Sequence, residues 1–239
     1  MNYAGILAGG ISRRMESAIP KQFLEIGGTP ILLRTLNRFL AAPGVDKVVL
    51  AMNPQWMDHC RGLLAKHGIE TDRLLIVSGG ETRFLSMVNI VEACIADRGA
   101  AFSPDDLLCI HDCARPFVSD RIIADNFAAI GEFDMVTTSV PTIDTVLVSD
   151  DGRTCTAVPD RSTIFCDQGP QTFRLGQFRD LQRRLTEEEN RSFIEAGALY
   201  RKFGLREGIV PGDRMNFKIT TPFDIVLAEA LLAQGGSAR

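Results

Sequence analysis

The chain has 239 residues, 45% hydrophobic and 23% charged, which excludes a disordered, collagen-like or coiled-coil protein and leaves room for a sizeable core. Lysine and arginine number 26 against 30 aspartates and glutamates, and the resulting formal charge of −4 argues against a nucleic-acid or membrane-surface protein while leaving room for a local basic pocket. No apolar run reaches the roughly 18 residues of a membrane helix, and the first residues lack the basic start and long apolar stretch of a signal peptide, so the expected address is the cytoplasm.

Residues 3–7 form a short apolar strand, followed by a glycine-rich turn. Residues 30–40 read as a helix, with proline in the first turn and apolar positions at Ile31, Leu32, Leu36 and Phe39. Residues 47–52 are a buried strand, and Asn53 is placed to cap a helix through Trp56, Cys60 and Leu64. Further strands at 74–78, 107–111 and 135–140 alternate with helices at 84–96 and 120–130. This spacing predicts right-handed β-α-β crossovers and a single α/β domain over 1–239, Rossmann-like, with a mainly parallel twisted sheet flanked by helices. After Pro141 the pattern changes: residues 145–149 and 153–158 read as two strands joined by a tight turn, a protruding β-hairpin arm at about 141–161. An isolated hairpin is marginal in water, so the arm is expected to pack on a second copy, giving a homodimer. Helices are expected again at 175–184 and 188–203, with an amphipathic one at 222–232.

Cys60, Cys94, Cys109, Cys113, Cys155 and Cys166 show none of the paired short spacings of a zinc site, and buried free thiols are expected.

Ligands of open parallel sheets bind at the carboxyl ends of the strands, so the segments after strands hold the candidates. The first contains Leu7, Ala8, Gly9 and Gly10, then Arg14, then Pro20-Lys21-Gln22. Small residues let backbone amides approach phosphate oxygens, and Arg14 and Lys21 add charge. The spacing is neither that of a P-loop nor GxGxxG, and a solvated turn fits it as well as an anion site does. The second contains Gly79, Gly80, Arg83 and Ser86, suited to a base edge or sugar hydroxyl, and equally to a plain capped turn. In the third, His111-Asp112-Cys113-Ala114-Arg115, Asp112 is placed either for a divalent cation or as a helix cap. Thr145, Arg161 and Lys218 read individually as surface residues. Together, three successive strand ends carry Gly, Arg or Asp, the set a nucleotide-phosphate site needs.

These segments, with Asp144-Thr145, Asp160-Arg161, Gln171-Thr172-Phe173 and Asn216…Lys218-Ile219-Thr220-Thr221-Pro222, are collinear with the sugar-alcohol-phosphate cytidylyltransferases, which the chain resembles over essentially its whole length. That group includes enzymes for 2-C-methyl-D-erythritol 4-phosphate and for ribitol 5-phosphate. The Leu7-Ala8-Gly9-Gly10 opening and the run Pro20-Lys21-Gln22-Phe23-Leu24-Glu25 are closer to the ribitol-phosphate branch. One position departs: where the family commonly carries Thr-Asp near the polyol phosphate, this chain has Ile194-Glu195.

The resemblance implies a reaction of CTP with a polyol phosphate, D-ribitol 5-phosphate favoured and 2-C-methyl-D-erythritol 4-phosphate the alternative, giving a CDP-polyol for a surface polymer or an isoprenoid precursor and releasing pyrophosphate. By the same resemblance, Arg14 and Lys21 stabilise the transition state, and Leu7, Ala8, Gly9 and Gly10 enclose the triphosphate. Gly79, Gly80, Arg83, Ser86 and Arg115 bind the nucleotide. Asp112 sits by Mg²⁺, and Thr145, Arg161 and Lys218 position the acceptor, the first two across the dimer. A different NTP or sugar phosphate, or a non-catalytic nucleotide-binding relative, are the competing readings.

Overall fold

The computed structural model describes residues 1–10, 15 and 19–235. In the first half of the chain, strands β1 (Asn2–Ala8), β2 (Glu25–Ile26) and β3 (Thr29–Pro30) precede helix α1 (Ile31–Ala41), then β4 (Lys47–Met52), α2 (Met57–Lys66) and β5 (Leu74–Ser78). Helix α3 (Arg83–Arg98), β6 (Leu107–Asp112), α4 (Asp120–Ala128) and β7 (Met135–Pro141) follow. The second half holds β8 (Phe165–Arg174), α5 (Leu175–Gln182), α6 (Glu187–Ser192), α7 (Ala196–Lys202), β9 (Glu207–Pro211) and α8 (Pro222–Ala233).

The main sheet has the order β5-β4-β1-β6-β8-β7-β9. All its pairings are parallel except those of β8, which runs antiparallel to both β6 and β7. Strand alternation divides the core between the two faces. Ala4 and Ile6 pack with Leu32, Leu36 and Phe39 of α1, while Tyr3, Val49 and Ile110 pack with Phe84, Met87 and Ile90 of α3. Near-continuous apolar strands covered on both sides are what a parallel sheet requires. A smaller cluster of Ile26, Ile31, Phe117, Ile219 and Ala228 seats α8 against the β2–β3 turn.

The expected elements of the first 141 residues are present, most with shifts of one or two residues at their ends. Asn53 caps a 3-10 turn, Pro54–Trp56, through Gln55 N at 3.0 Å, and α2 begins only after it. Downstream the expectations need correction. The two-stranded arm is reduced to one antiparallel bridge, Val148 to Ala157, around a turn where Asp151 accepts from the amides of Arg153 and Thr154 at 2.8 and 2.7 Å and Gly152 takes φ +68°. The helix expected over 188–203 is two, α6 and α7, broken at Phe193, where the chain turns so that this ring meets Phe84 edge-on. Helix α8 buries only Ala228 and leaves Phe223, Val226 and Leu227 exposed, so it is less amphipathic than its pattern suggests. Four cysteines are buried as expected, but Cys155 and Cys166 are exposed.

Candidate functional site

Parallel register brings the strand ends into one row. Leu7 of β1 lies opposite Asp112 of β6, Ala8 opposite Met52 of β4, and Met52 opposite Ser78 of β5. The loops leaving these strands therefore open onto the same edge, where they surround a cavity of about 780 Å³, a size suited to a nucleotide. Leu7, Ala8, Gly9, Gly10, Lys21, Gly79, Gly80, Arg83, Ser86, Asp112 and Lys218 all line it.

The Gly79–Gly80 turn is held by local chemistry. Gly79 N donates to Met52 O at 2.7 Å and Gly80 N to Ser86 Oγ at 3.0 Å, while Ser86 Oγ donates to Thr82 O at 2.9 Å. Thr82 caps α3 by accepting from Leu85 N at 3.1 Å, a contact of about 1 kcal/mol. A Cβ at Gly80 would stand 2.6 Å from Leu85 Cβ and 2.7 Å from its carbonyl carbon, so the helix start can approach the turn this closely only over glycine.

Asp112 is the electrostatic centre. Arg83 Nε donates to its Oδ1 at 3.1 Å and Lys218 Nζ to its Oδ2 at 2.6 Å. Burial alone would raise this carboxyl, but the charges of Arg83 and Lys218 outweigh it and hold the group well below the usual carboxylate range. Arg83 also donates through Nη1 to Ile194 O at 3.0 Å. On the opposite bank Lys21, in the 3-10 turn Lys21–Phe23, donates from Nζ to Ile219 O at 2.6 Å. Among the described residues, three cations thus border one cavity with Asp112 and Glu81 as its acids. That arrangement suits a polyanion with several phosphates.

His111 and Cys113 flank Asp112 in buried surroundings that disfavour the charged form of either. His111 is fully buried with Nε2 2.9 Å from Arg115 O, and burial pushes it down to about 4. Burial also pushes the Cys113 thiol far up, which disfavours its thiolate.

Three sequence candidates lie elsewhere and one is out of view. Arg115 is not at the cavity wall: its Nη1 donates to Asn216 O at 2.8 Å and its Nη2 to Asp167 O at 3.3 Å, so it ties the segment bearing Lys218 to β8. Thr145 and Arg161 stand exposed on the arm away from this cavity, Arg161 Nη1 bonding Ile143 O at 3.0 Å. Arg14 lies outside the described residues. Conversely Gln22, Asn53 and Thr220 line the cavity without having been assigned. Asn53 follows a predicted strand directly, so the strand-end rule alone would have found it.

The carboxylate at the departing position has a structural role here. Glu195 Oε2 caps α7 through Gly197 N at 2.8 Å and accepts from Gln171 Nε2 at 3.0 Å, and Oε1 pairs with Arg201 Nη2 at 2.6 Å.

Comparison with known proteins agrees with this geometry. The family model described as IspD, 2-C-methyl-D-erythritol 4-phosphate cytidylyltransferase, matches residues 3–234. The chain is 37% identical over 234 residues to the ribitol-5-phosphate cytidylyltransferase of Streptococcus pneumoniae strain D39, covering 97% of this chain and 99% of that one. Among solved structures, 4-diphosphocytidyl-2C-methyl-D-erythritol synthase of Anaerococcus prevotii superimposes with TM-score 0.79 at 26% identity, covering 97% of this chain and 96% of that one. The 2-C-methyl-D-erythritol 4-phosphate cytidylyltransferase of Francisella tularensis does so with TM-score 0.77 at 27% identity, over 96% and 98%.

Proposed function

The chain belongs to the 2-C-methyl-D-erythritol 4-phosphate cytidylyltransferase family, and within it we propose that this nucleotidyltransferase joins CTP to D-ribitol 5-phosphate, releasing pyrophosphate and forming CDP-ribitol for a surface polymer. The observation that supports this acceptor is the 37% identity, over nearly full length, to the pneumococcal ribitol-5-phosphate enzyme. The opening Leu7-Ala8-Gly9-Gly10 points the same way. The solved relatives at 26–27% identity favour 2-C-methyl-D-erythritol 4-phosphate as the second reading.

The acceptor carries its own nucleophile. A phosphate monoester with a second pKa near 6 is a dianion at neutral pH, and one of its oxygens attacks the α-phosphorus of CTP. The new P–O bond forms as the bond to the bridging oxygen breaks, and pyrophosphate leaves with that electron pair. No proton needs to be removed, which agrees with the neutral, buried His111 and the protonated Cys113. What the protein supplies is charge and alignment. Lys21 and Arg14 neutralise charge on the α-phosphate, the Ala8–Gly10 backbone encloses the triphosphate, and Gly80, Arg83 and Ser86 hold cytosine and ribose. Lys218 receives the acceptor phosphate.

The described residues contain no cluster of three His, Cys, Asp or Glu around one point, and Asp112 is the carboxylate at the floor of the cavity. That donor set fits Mg²⁺, which commonly takes one or two carboxylates together with substrate phosphates. Asp112 would hold the ion, and the ion would supply neutralisation of the triphosphate charge.

The arm is the proposed dimer contact. Ile143, Leu147, Val148 and Val158 are exposed along it, with Phe165 exposed at its base where β8 begins, an apolar surface that a second copy would cover. Thr145 and Arg161 would then act in the partner's site. No helix among the described residues is long and apolar enough to cross a membrane, and the cytoplasm is the proposed location of this CTP-consuming reaction.

Pyrophosphate release from CTP and Mg²⁺ tests the reading with ribitol 5-phosphate and methylerythritol 4-phosphate side by side. Preference for the first supports it, preference for the second replaces the acceptor, and turnover with neither overturns it.

A further inference from the structure

Gln22 is almost completely buried, on the short turn between Lys21 and Phe23. Its Nε2 lies 2.8 Å from Ala8 O and 3.2 Å from Gly10 O. Two carbonyl oxygens at one end of a side-chain amide require that end to be the NH₂ group, which has two hydrogens to give. One side chain therefore fastens both sides of Gly9 in the loop that leaves β1. Because a trans peptide opposes its C=O and N–H, fixing the Ala8 carbonyl also fixes the direction of the Gly9 N–H. Glycine makes this necessary: without a Cβ the loop is conformationally free, and a Cβ at Gly10 would meet no atom of the described residues within 4 Å.

The neighbouring residue fastens the other bank. Lys21 Nζ donates to Ile219 O, and Ile219 N in turn donates to Ala114 O at 2.9 Å. The turn thus spans the cavity between the glycine loop and the segment bearing Lys218.

From this juxtaposition we infer that Gln22 is a positioning residue, which holds the Ala8–Gly10 backbone in the shape that accepts the triphosphate and keeps Lys21 at a fixed distance from it. The inference rests on the nucleotidyltransferase reading of the cavity. Gln22 touches no reacting atom; it acts through the carbonyls of Ala8 and Gly10.

Gln22→Glu and Gln22→Met separate this from mere packing. Both keep the volume and remove the amide. An ionised Glu has no hydrogen to give and repels both carbonyls, whereas a protonated Glu regains one donor. Met has none at any pH. CTP affinity is measured by calorimetry with Mg²⁺ at pH 8.5 and pH 6.0, each variant as a ratio to wild type, so that the titration of CTP and of the other groups facing the cavity (Lys21, Glu81, Arg83, Asp112 and Lys218) cancels. Both variants are expected to bind about 10- to 100-fold more weakly at pH 8.5, the scale of one buried hydrogen bond lost with its acceptor left unpaired. At pH 6.0 Gln22→Glu should recover at least about fivefold relative to wild type while Gln22→Met does not.

Equal losses at both pH values, or affinities within about twofold of wild type, overturn the inference. If Gln22→Glu fails to fold at pH 8.5, Gln22→Met decides. Weakened binding with an unchanged melting temperature supports the role, and a loss that only tracks unfolding removes it. A wild-type chain that binds no CTP instead overturns the nucleotidyltransferase reading on which this one stands.

Discussion

Lys218 Nζ donates to Asp112 Oδ2 at 2.6 Å, while Arg83 Nε holds the other oxygen of the same carboxylate at 3.1 Å. One acid thus neutralises a cation assigned to the nucleotide and a cation assigned to the acceptor. Asp112→Asn leaves both cations with a neutral partner and removes the carboxylate proposed to hold Mg²⁺ at the cavity floor. We expect kcat to fall at least about 100-fold and the Mg²⁺ concentration for half-maximal rate to rise. Rates of pyrophosphate release across a Mg²⁺ series check both. An unchanged Mg²⁺ dependence would confine Asp112 to pairing Arg83 with Lys218.

Lys21 stands on the opposite bank, with its ammonium at Ile219 O. A cation that works on charge developing in the transition state affects turnover more than binding. Lys21→Ala should lower kcat about 10²- to 10³-fold and change CTP affinity far less. Single-turnover rates and calorimetry separate the two quantities, and nearly full kcat would take Lys21 out of the reaction.

The parallel strands, their helices and the cavity edge were legible in the sequence because each strand is an apolar run closed by small or charged residues. β8 was not. Its sequence, Phe165 to Arg174, includes Gly169-Pro170 and the buried polar residues Gln168, Gln171 and Thr172. Those side chains are satisfied across space, Gln171 by Glu195 and Thr172 by Asn126, which hydrophobic periodicity does not register. The arm was over-read for the opposite reason. Its Thr and Val residues have strand propensity, but most stand exposed, and among the described residues the arm forms only the Val148–Ala157 bridge. In the site, glycines and charges at strand ends announced themselves, whereas Arg115 carries the right chemistry and points behind the wall.

The arm's exposed apolar residues yield a test of assembly. Leu147→Asp places a charge in the proposed contact, and sedimentation should show a dimer in the wild type and a monomer in the variant. Arg161→Ala should leave the dimer intact and chiefly raise KM for the polyol phosphate, because it would position a substrate that is charged throughout. A monomeric wild type with full activity would remove the cross-subunit site.

His111 makes stability depend on pH in a defined window. Burial pushes its folded-state value down to about 4, from an ordinary 6.5. Between these values the unfolded chain binds a proton that the folded chain refuses, so stability is lost as pH falls from about 6.5 towards 4. Asp112 and Asp106, whose cationic partners outweigh burial, are held below the usual carboxylate value of 3.8 and contribute only at lower pH. Urea midpoints measured from pH 7 to 4.5 should fall more steeply for the wild type than for His111→Asn. Parallel slopes would show that another group titrates.

The pair Ile194-Glu195, where the chain departs from the pattern of the family it resembles, invites the idea that it selects the acceptor. The hydrogen bonds argue otherwise. Glu195 is engaged by Gly197, Gln171 and Arg201, and Ile194 contributes its carbonyl, not its exposed side chain, to Arg83. Aspartate is one methylene shorter and cannot hold the Gln171 and Arg201 contacts together with the α7 cap. Replacing both residues, Ile194→Thr with Glu195→Asp, should therefore lower the melting temperature by several degrees, as expected for loss of a part-buried hydrogen bond and part of an ion-pair network. The ratio of kcat/KM for ribitol 5-phosphate to that for methylerythritol 4-phosphate should stay within about threefold, because neither side chain lines the cavity. Inversion of that ratio would place acceptor choice at these two positions and show that the Glu195 carboxylate leaves its helix cap when substrate binds.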